Sequence, residues 1–159
     1  MKIEEELHHL FVTKKLSLAI AESCTGGAIA ALLTRVPGAS DYFLGGVVAY
    51  SSRLKEQSLN VSVATLYAKG AVSEQVAEEM ARGVHSLCQS SYAIGVSGIA
   101  GPSGGSPDKP VGTVCCAIVG EGGLCTSWTL HLKGDRKTII DTSVYAILTA
   151  LKDLVESIE

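Results

Sequence analysis

The apolar residues change their spacing early in the chain. Ile3, Leu7, Leu10 and Phe11 recur at helical intervals through residues 3 to 14, and Leu16, Leu18 and Ile20 then alternate strictly, which predicts a helix followed by a strand. The stretch AESCTGG, residues 21 to 27, ends that strand. GGAIAALLTRV predicts a helix that begins near the glycines and stops at Pro37-Gly38, and FLGGVVAY at 43 to 50 predicts a second strand with a glycine pair inside it. A short helix through SRLKEQSL follows. Val72, Val76, Met80, Val84 and Leu87 then share one helical face from about Ser73, a good capping residue, with Glu74 placed in the first turn to suit the helix dipole. YAIGV, 92 to 96, reads as the next strand.

Residues 97 to 113, SGIAGPSGGSPDKPVGT, hold three of the four prolines and five glycines, and so predict a loop. Connections have a median of about four to six residues, and an ordered loop of about three times that length usually serves a site. VCCAIV and LCTSWTLHL predict paired strands around GEGG, and Ile140, Val144, Ile147, Leu151, Leu154 and Ile158 stripe a long closing helix that Asp135 could cap. No repeat, linker or low-complexity tract interrupts the chain. The pattern predicts one α/β domain over 1–159, a three-layer α/β/α sandwich with a mixed, mostly parallel sheet.

Composition agrees with one core. The chain is 47% apolar with 17 glycines and 18% charged residues, a balance suited to a compact fold. A net charge of −3 without any Lys/Arg block argues against broad capture of nucleic acid or anionic membrane and leaves small ligands open. No apolar run approaches the roughly 20 residues of a membrane span, and the acidic start MKIEEELHHL does not resemble a secretion signal, so a cytoplasmic location is expected. Five cysteines without CxxC spacing and four histidines outside any ligand motif predict neither a disulfide scaffold nor a metal site.

Ligands in α/β sheets collect at the carboxyl ends of strands, where residues 22–27, 50–55 and 97–113 fall. Ser23 is either a cap or a nucleophile, and Cys24 either a small buried hydrophobe or a rival nucleophile. Thr25, Gly26 and Gly27 either let the chain turn or offer backbone N–H groups to an anion. A serine needs a base, and Lys55 in YSSRLK is the candidate, with Tyr50 facing the same crevice. An exposed helix lysine and a half-buried tyrosine are the plainer alternative. Neutralising a lysine with an ordinary pKa near 10.4 at pH 7 takes about 4 to 5 kcal/mol, so burial or a nearby cation must lower it. Arg136 is either that cation, a phosphate ligand or a surface arginine, and Asp135 either a cap or a carboxylate orienter. No GxxxxGK[ST] or GxGxxG is present, although loop amides could still cradle a phosphate. Chemistry alone favours Cys24 over Ser23, because a helix N-terminus lowers a thiol pKa.

AESCTGG at 21–27, VVAYSSRLK at 47–55, GAVSEQVAEEMA at 70–81, SGIAGPSGGSPDKPVGTV at 97–114 and KGDR at 133–136 together resemble the CinA C-terminal domain family, from about residue 5 to 155. The resemblance implies a three-layer α/β/α fold, a homo-oligomer, and an amidohydrolase. Its substrate would be nicotinamide mononucleotide, turned with water into nicotinate mononucleotide and ammonia without metal or organic cofactor. It implies Ser23 as nucleophile, Lys55 as base and Tyr50 as a supporting hydroxyl. The expected substrate-binding residues are Thr25, Gly26, Gly27, Ser97, Gly98, Gly101, Gly104, Gly105 and Arg136, with Ser97 where many relatives carry Thr. Larger members carry a separate N-terminal nucleotide-binding domain, and its activity is not expected of this chain. Two other readings stay open: a non-catalytic module binding a nucleotide or protein, and a deamidase of another small amide.

Overall fold

The computed structural model describes residues 1–158, so Glu159, the last position of the expected 1–159 domain, lies outside the described residues. Five strands form one sheet in the order β2-β1-β3-β4-β5. β1 (Leu18–Glu22) pairs in parallel with β2 (Phe43–Val48) and with β3 (Tyr92–Gly98). β4 (Thr113–Gly120) runs antiparallel to both β3 and β5 (Cys125–His131). The sheet is mixed, with β4 alone reversed. One face carries α1 (Ile3–Lys14), α2 (Ala28–Leu33) and α6 (Arg136–Ser157); the other carries α3 (Ser52–Leu59), α4 (Val63–Lys69) and α5 (Glu74–Cys88). The three-layer sandwich expected from the sequence is the fold observed.

All five β1 residues are buried, because the strand is central and covered on both sides. The alternation in LSLAIA is therefore one of size. Leu18 and Ile20 join Ile94, Val96 and Ile118 in the core under α1, α2 and α6, whereas Ala19 and Ala21 join Ala93 and Ala117 under α5. The small residues let α5 ride close to the sheet: a Cβ on Gly95 would lie 2.1 Å from the Ala77 carbonyl oxygen.

Local signals explain most boundaries. Ser73 Oγ accepts from Val76 N–H at 3.2 Å and caps α5, and Asp135 Oδ1 accepts from Thr138 N–H at 2.8 Å and caps α6. α2 is shorter than GGAIAALLTRV suggests, and α4 has no counterpart in the sequence reading because none of its seven residues is fully buried and their apolar stripe is too short to read. No helix among the described residues is long and apolar enough to cross a membrane.

Candidate active site

The parallel strands β1, β2 and β3 end together, and their backbone ladder continues past the strands. Ser23 N–H donates to Val96 O at 3.0 Å, and Ala49 N–H donates to Glu22 O at 2.8 Å. After Ala49 the chain turns into α3, where Ser51 Oγ accepts from Leu54 N–H at 3.1 Å. That cap starts the helix so that Lys55, in its first turn, points back over the end of the sheet. Lys55 is 2% exposed, and its Nζ donates to Ser23 Oγ at 2.8 Å, to Ala49 O at 2.9 Å and to Tyr50 O at 3.4 Å. No ion pair among the described residues involves it. Burial lowers the Lys55 pKa from its ordinary value, opposed in part by the Cys24 thiol. The nearby cation considered from sequence is not the cause; desolvation is.

Ser23 and Cys24 are neighbours with different fates. Ser23 is 6% exposed and meets the amine, while Cys24, also nearly buried, has its thiol pushed up to about 12 by burial. A thiol in that state is protonated at pH 7 and a poor nucleophile. The preference for Cys24 drawn from general chemistry is reversed here, because it assumed a helix N-terminus free to stabilise a thiolate.

That N-terminus is occupied. Glu22, 1% exposed, accepts from Ile29 N–H at 3.0 Å and Thr25 Oγ1–H at 2.6 Å through Oε1, and from Ala30 N–H at 3.1 Å through Oε2. α2 starts at Gly27 (φ 102°), which has no side chain with which to cap it, so Glu22 supplies the missing acceptor. Sequence reasoning gave this carboxylate no role. The signal was a helix start without Ser, Thr, Asp or Asn at its cap and a carboxylate a few residues upstream.

Three expected substrate-binding residues need correction. Thr25 is buried with its hydroxyl committed to Glu22, the Gly26 amide donates to Ser23 O at 2.9 Å, and none of Thr25, Gly26 and Gly27 lines the cleft around Ser23. They shape the turn. Cys24 lines the cleft immediately after Ser23, and among the described residues its amide donates to no other residue.

The cleft over Ser23 and Lys55 has a volume of about 250 Å³. Its far wall is the start of the long loop, including Ser97, Gly98, Gly101 and Gly104. Ser97 Oγ–H donates to Ala71 O at 2.8 Å, so this hydroxyl pins the Ala71–Val72 wall instead of facing a ligand. Gly101 has φ 83°, and a Cβ there would lie 2.5 Å from Val111 Cγ1. Gly105 lies outside the cleft, and its missing side chain makes room for Val111 N, which a Cβ would approach to 2.8 Å. At the mouth, Arg136 Nη1–H donates to Gly101 O at 2.7 Å and Nη2–H to Tyr50 Oη at 2.8 Å. Tyr50 is 59% exposed, and it meets Lys55 through its carbonyl only. Its hydroxyl belongs to the arginine.

A second, larger cleft of about 700 Å³ lies across the Val72 wall, between α5 and the β4–β5 ladder. Of its two carboxylates, Glu74 and Asp108, Glu74 accepts from Thr129 Oγ1–H at 2.6 Å, and burial raises the pKa of its thiol, Cys115. Lys109 Nζ donates to Lys69 O at 2.5 Å across its rim.

A buried amine and a hydroxyl meeting where parallel strands end, under a glycine-rich loop, define an α/β domain built around a Ser–Lys pair. The chain belongs to the CinA C-terminal domain family, whose model matches residues 1–155. It is 52% identical over 127 residues to a CinA-like protein of Desulforapulum autotrophicum, covering 80% of this chain and 30% of that protein. With a CinA-like protein of Thermotoga neapolitana it shares 46% identity over 151 residues, 95% of this chain and 36% of the other. The chain thus spans about a third of the length of these curated relatives. Among solved structures, competence damage-inducible protein A from Klebsiella pneumoniae superposes with a TM-score of 0.95 at 33% identity, covering 99% of this chain and 97% of that one. A competence/damage inducible protein from Agrobacterium tumefaciens gives 0.90 at 36% identity, covering 97% and 96%.

Proposed function

We propose that this chain is an amidohydrolase converting nicotinamide mononucleotide and water into nicotinate mononucleotide and ammonia. The observation that carries the reading is the 2.8 Å contact between Lys55 Nζ and Ser23 Oγ, made by a buried amine with no carboxylate partner. Desolvation keeps a fraction of Lys55 neutral, and the neutral amine is the base a serine requires. Ser23 Oγ attacks the carboxamide carbon as Lys55 takes its proton directly; the contact is short enough that no relay through Tyr50 is needed. The tetrahedral oxyanion is held by the backbone amide of Cys24, which lines the cleft beside Ser23, a donor worth roughly 3 to 4 kcal/mol when well aimed. Lys55 returns the proton to the departing ammonia, and water, activated by the same amine, releases the acid. Arg136, steadied by Tyr50, holds the phosphate at the mouth.

On this reading the enzyme works in the cytoplasm as a homo-oligomer. Ammonia release from purified protein tests the chemistry: nicotinamide mononucleotide is turned over, and nicotinamide without its ribose phosphate reacts poorly because the remote contacts position the amide. A Cys24→Ala protein that is dead beside an active Ser23→Ala would reverse the assignment. Nucleotide binding by thermal shift with no ammonia released would favour a regulatory module.

A further inference from the structure

Glu22 sits between the two reacting groups and touches neither. It is the last residue of β1, joined by a peptide bond to Ser23, and its carbonyl accepts from Ala49 N–H at 2.8 Å. The Ala49 carbonyl in turn accepts from Lys55 Nζ at 2.9 Å. Nucleophile and base are therefore suspended from the two ends of one backbone link. What that link leaves open is the orientation of the turn from Ser23 to Gly27, which contains two positive-φ glycines, Gly26 at 60° and Gly27 at 102°. A turn with such residues has many alternatives, and the Glu22 side chain selects among them. Its carboxylate accepts three hydrogen bonds, from Thr25 Oγ1–H, Ile29 N–H and Ala30 N–H, on the far side of that turn.

We infer that the Glu22 carboxylate and the Thr25 hydroxyl form a positioning clamp that fixes Ser23 Oγ against Lys55 Nζ, and with it the direction of the Cys24 amide that follows Ser23. This rests on the Ser–Lys reading above. The Glu22 carboxylate makes no contact with the amine, whose partners are Ser23 Oγ and the Ala49 and Tyr50 carbonyls, so the clamp acts through geometry. Acceptor count explains why a carboxylate is required: Glu22→Gln would turn one of its two accepting atoms into an NH₂ donor facing the Ala30 or Ile29 N–H or the Thr25 hydroxyl.

The test uses a fluorophosphonate probe, which reads nucleophile activation whatever the natural substrate: Ser23 Oγ bonds to phosphorus, fluoride leaves, and Lys55 takes the proton. Mass spectrometry locates the adduct. The expected result is labelling of the unmodified protein at Ser23, with Glu22→Gln and Thr25→Val labelled more slowly by about tenfold or more, as small misplacements of a nucleophile produce. In Thr25→Val the pH at which labelling rises, set by Lys55, stays in place while the plateau falls. Thr25→Ser, which keeps the hydroxyl, restores the rate. Melting temperatures identify any loss due to unfolding, and if Glu22→Gln does not fold, Thr25→Val decides. Equal labelling rates per folded molecule in both variants overturn the clamp and leave the Ser–Lys reading standing. No adduct at Ser23 in the unmodified protein overturns that reading and the clamp together.

Discussion

The two clefts on either side of the Val72 wall differ in the opposite sense from their volumes. In the larger, about 700 Å³, Glu74 is bonded by the Thr129 hydroxyl, Lys109 is spent on the Lys69 carbonyl at the rim, and burial raises the pKa of the thiol. The smaller, about 250 Å³, holds a fully buried lysine without a counter-ion, its amine against a serine hydroxyl. A site is marked by groups left chemically unbalanced at a structural cost, since buried polar atoms are otherwise satisfied. Space alone marks a fold that has not closed completely.

Ser23→Ala and Lys55→Ala test this contrast most severely. Each is expected to lower kcat for ammonia release by about 10³-fold or more, the loss seen when a member of a nucleophile–base pair is removed. Arg136→Ala comes next: KM for the phosphate-bearing substrate rises roughly 10- to 100-fold with kcat changed much less, which steady-state kinetics on nicotinamide mononucleotide will show. Cys24→Ala keeps kcat within about threefold, and native Cys24 reacts with iodoacetamide at pH 8 slower than a free thiol by about a hundredfold or more. On the other side of the wall, Glu74→Gln leaves turnover within about twofold and lowers stability by about 1–2 kcal/mol as a hydrogen bond is lost. A Glu74 variant as damaging to turnover as Lys55→Ala would dissolve the distinction between the clefts.

The pH dependence sharpens it further. Because burial lowers the Lys55 pKa in the folded protein, kcat/KM should rise with pH through that lowered value, below the ordinary lysine range. Stability carries the matching signature. Between the folded and unfolded lysine pKa values the unfolded chain binds more protons, so ΔG of unfolding rises with pH in that window and levels off near the unfolded value of about 10.4. Lys55→Met should lose that slope in chemical denaturation measured across the alkaline range. Cys24 contributes with the opposite sign: its pKa is raised to about 12, so its contribution is full below the ordinary thiol value and fades as pH climbs towards the folded one.

The layered architecture was legible from the period of the apolar residues, and Ser73 and Asp135 announced their helices. α4 was invisible because a seven-residue helix with no fully buried residue writes too short a stripe to read. The positions flanking the cleft were legible too, in Ser23, Lys55, Tyr50 and Arg136. The meeting of Ser23 with Lys55 was among the expectations; the other partners within the cleft were not. Whether Tyr50 Oη faces the lysine or the arginine depends on a contact between residues 86 apart, and the choice between Ser23 and Cys24 depends on desolvation, a property of the folded core. Thr25 misled for a related reason: a hydroxyl in a glycine-rich turn suggests a ligand, and its actual acceptor is a carboxylate from the preceding strand.

Arg136 ties the mouth together before any ligand arrives. One guanidinium joins a tyrosine at the end of β2 to a carbonyl in the long loop, using one N–H towards each. Three of its five N–H groups are left over, on a side chain already oriented by those two bonds. An incoming anion would find a receptor whose rotational entropy was surrendered during folding, so the encounter would order little beyond the ligand itself.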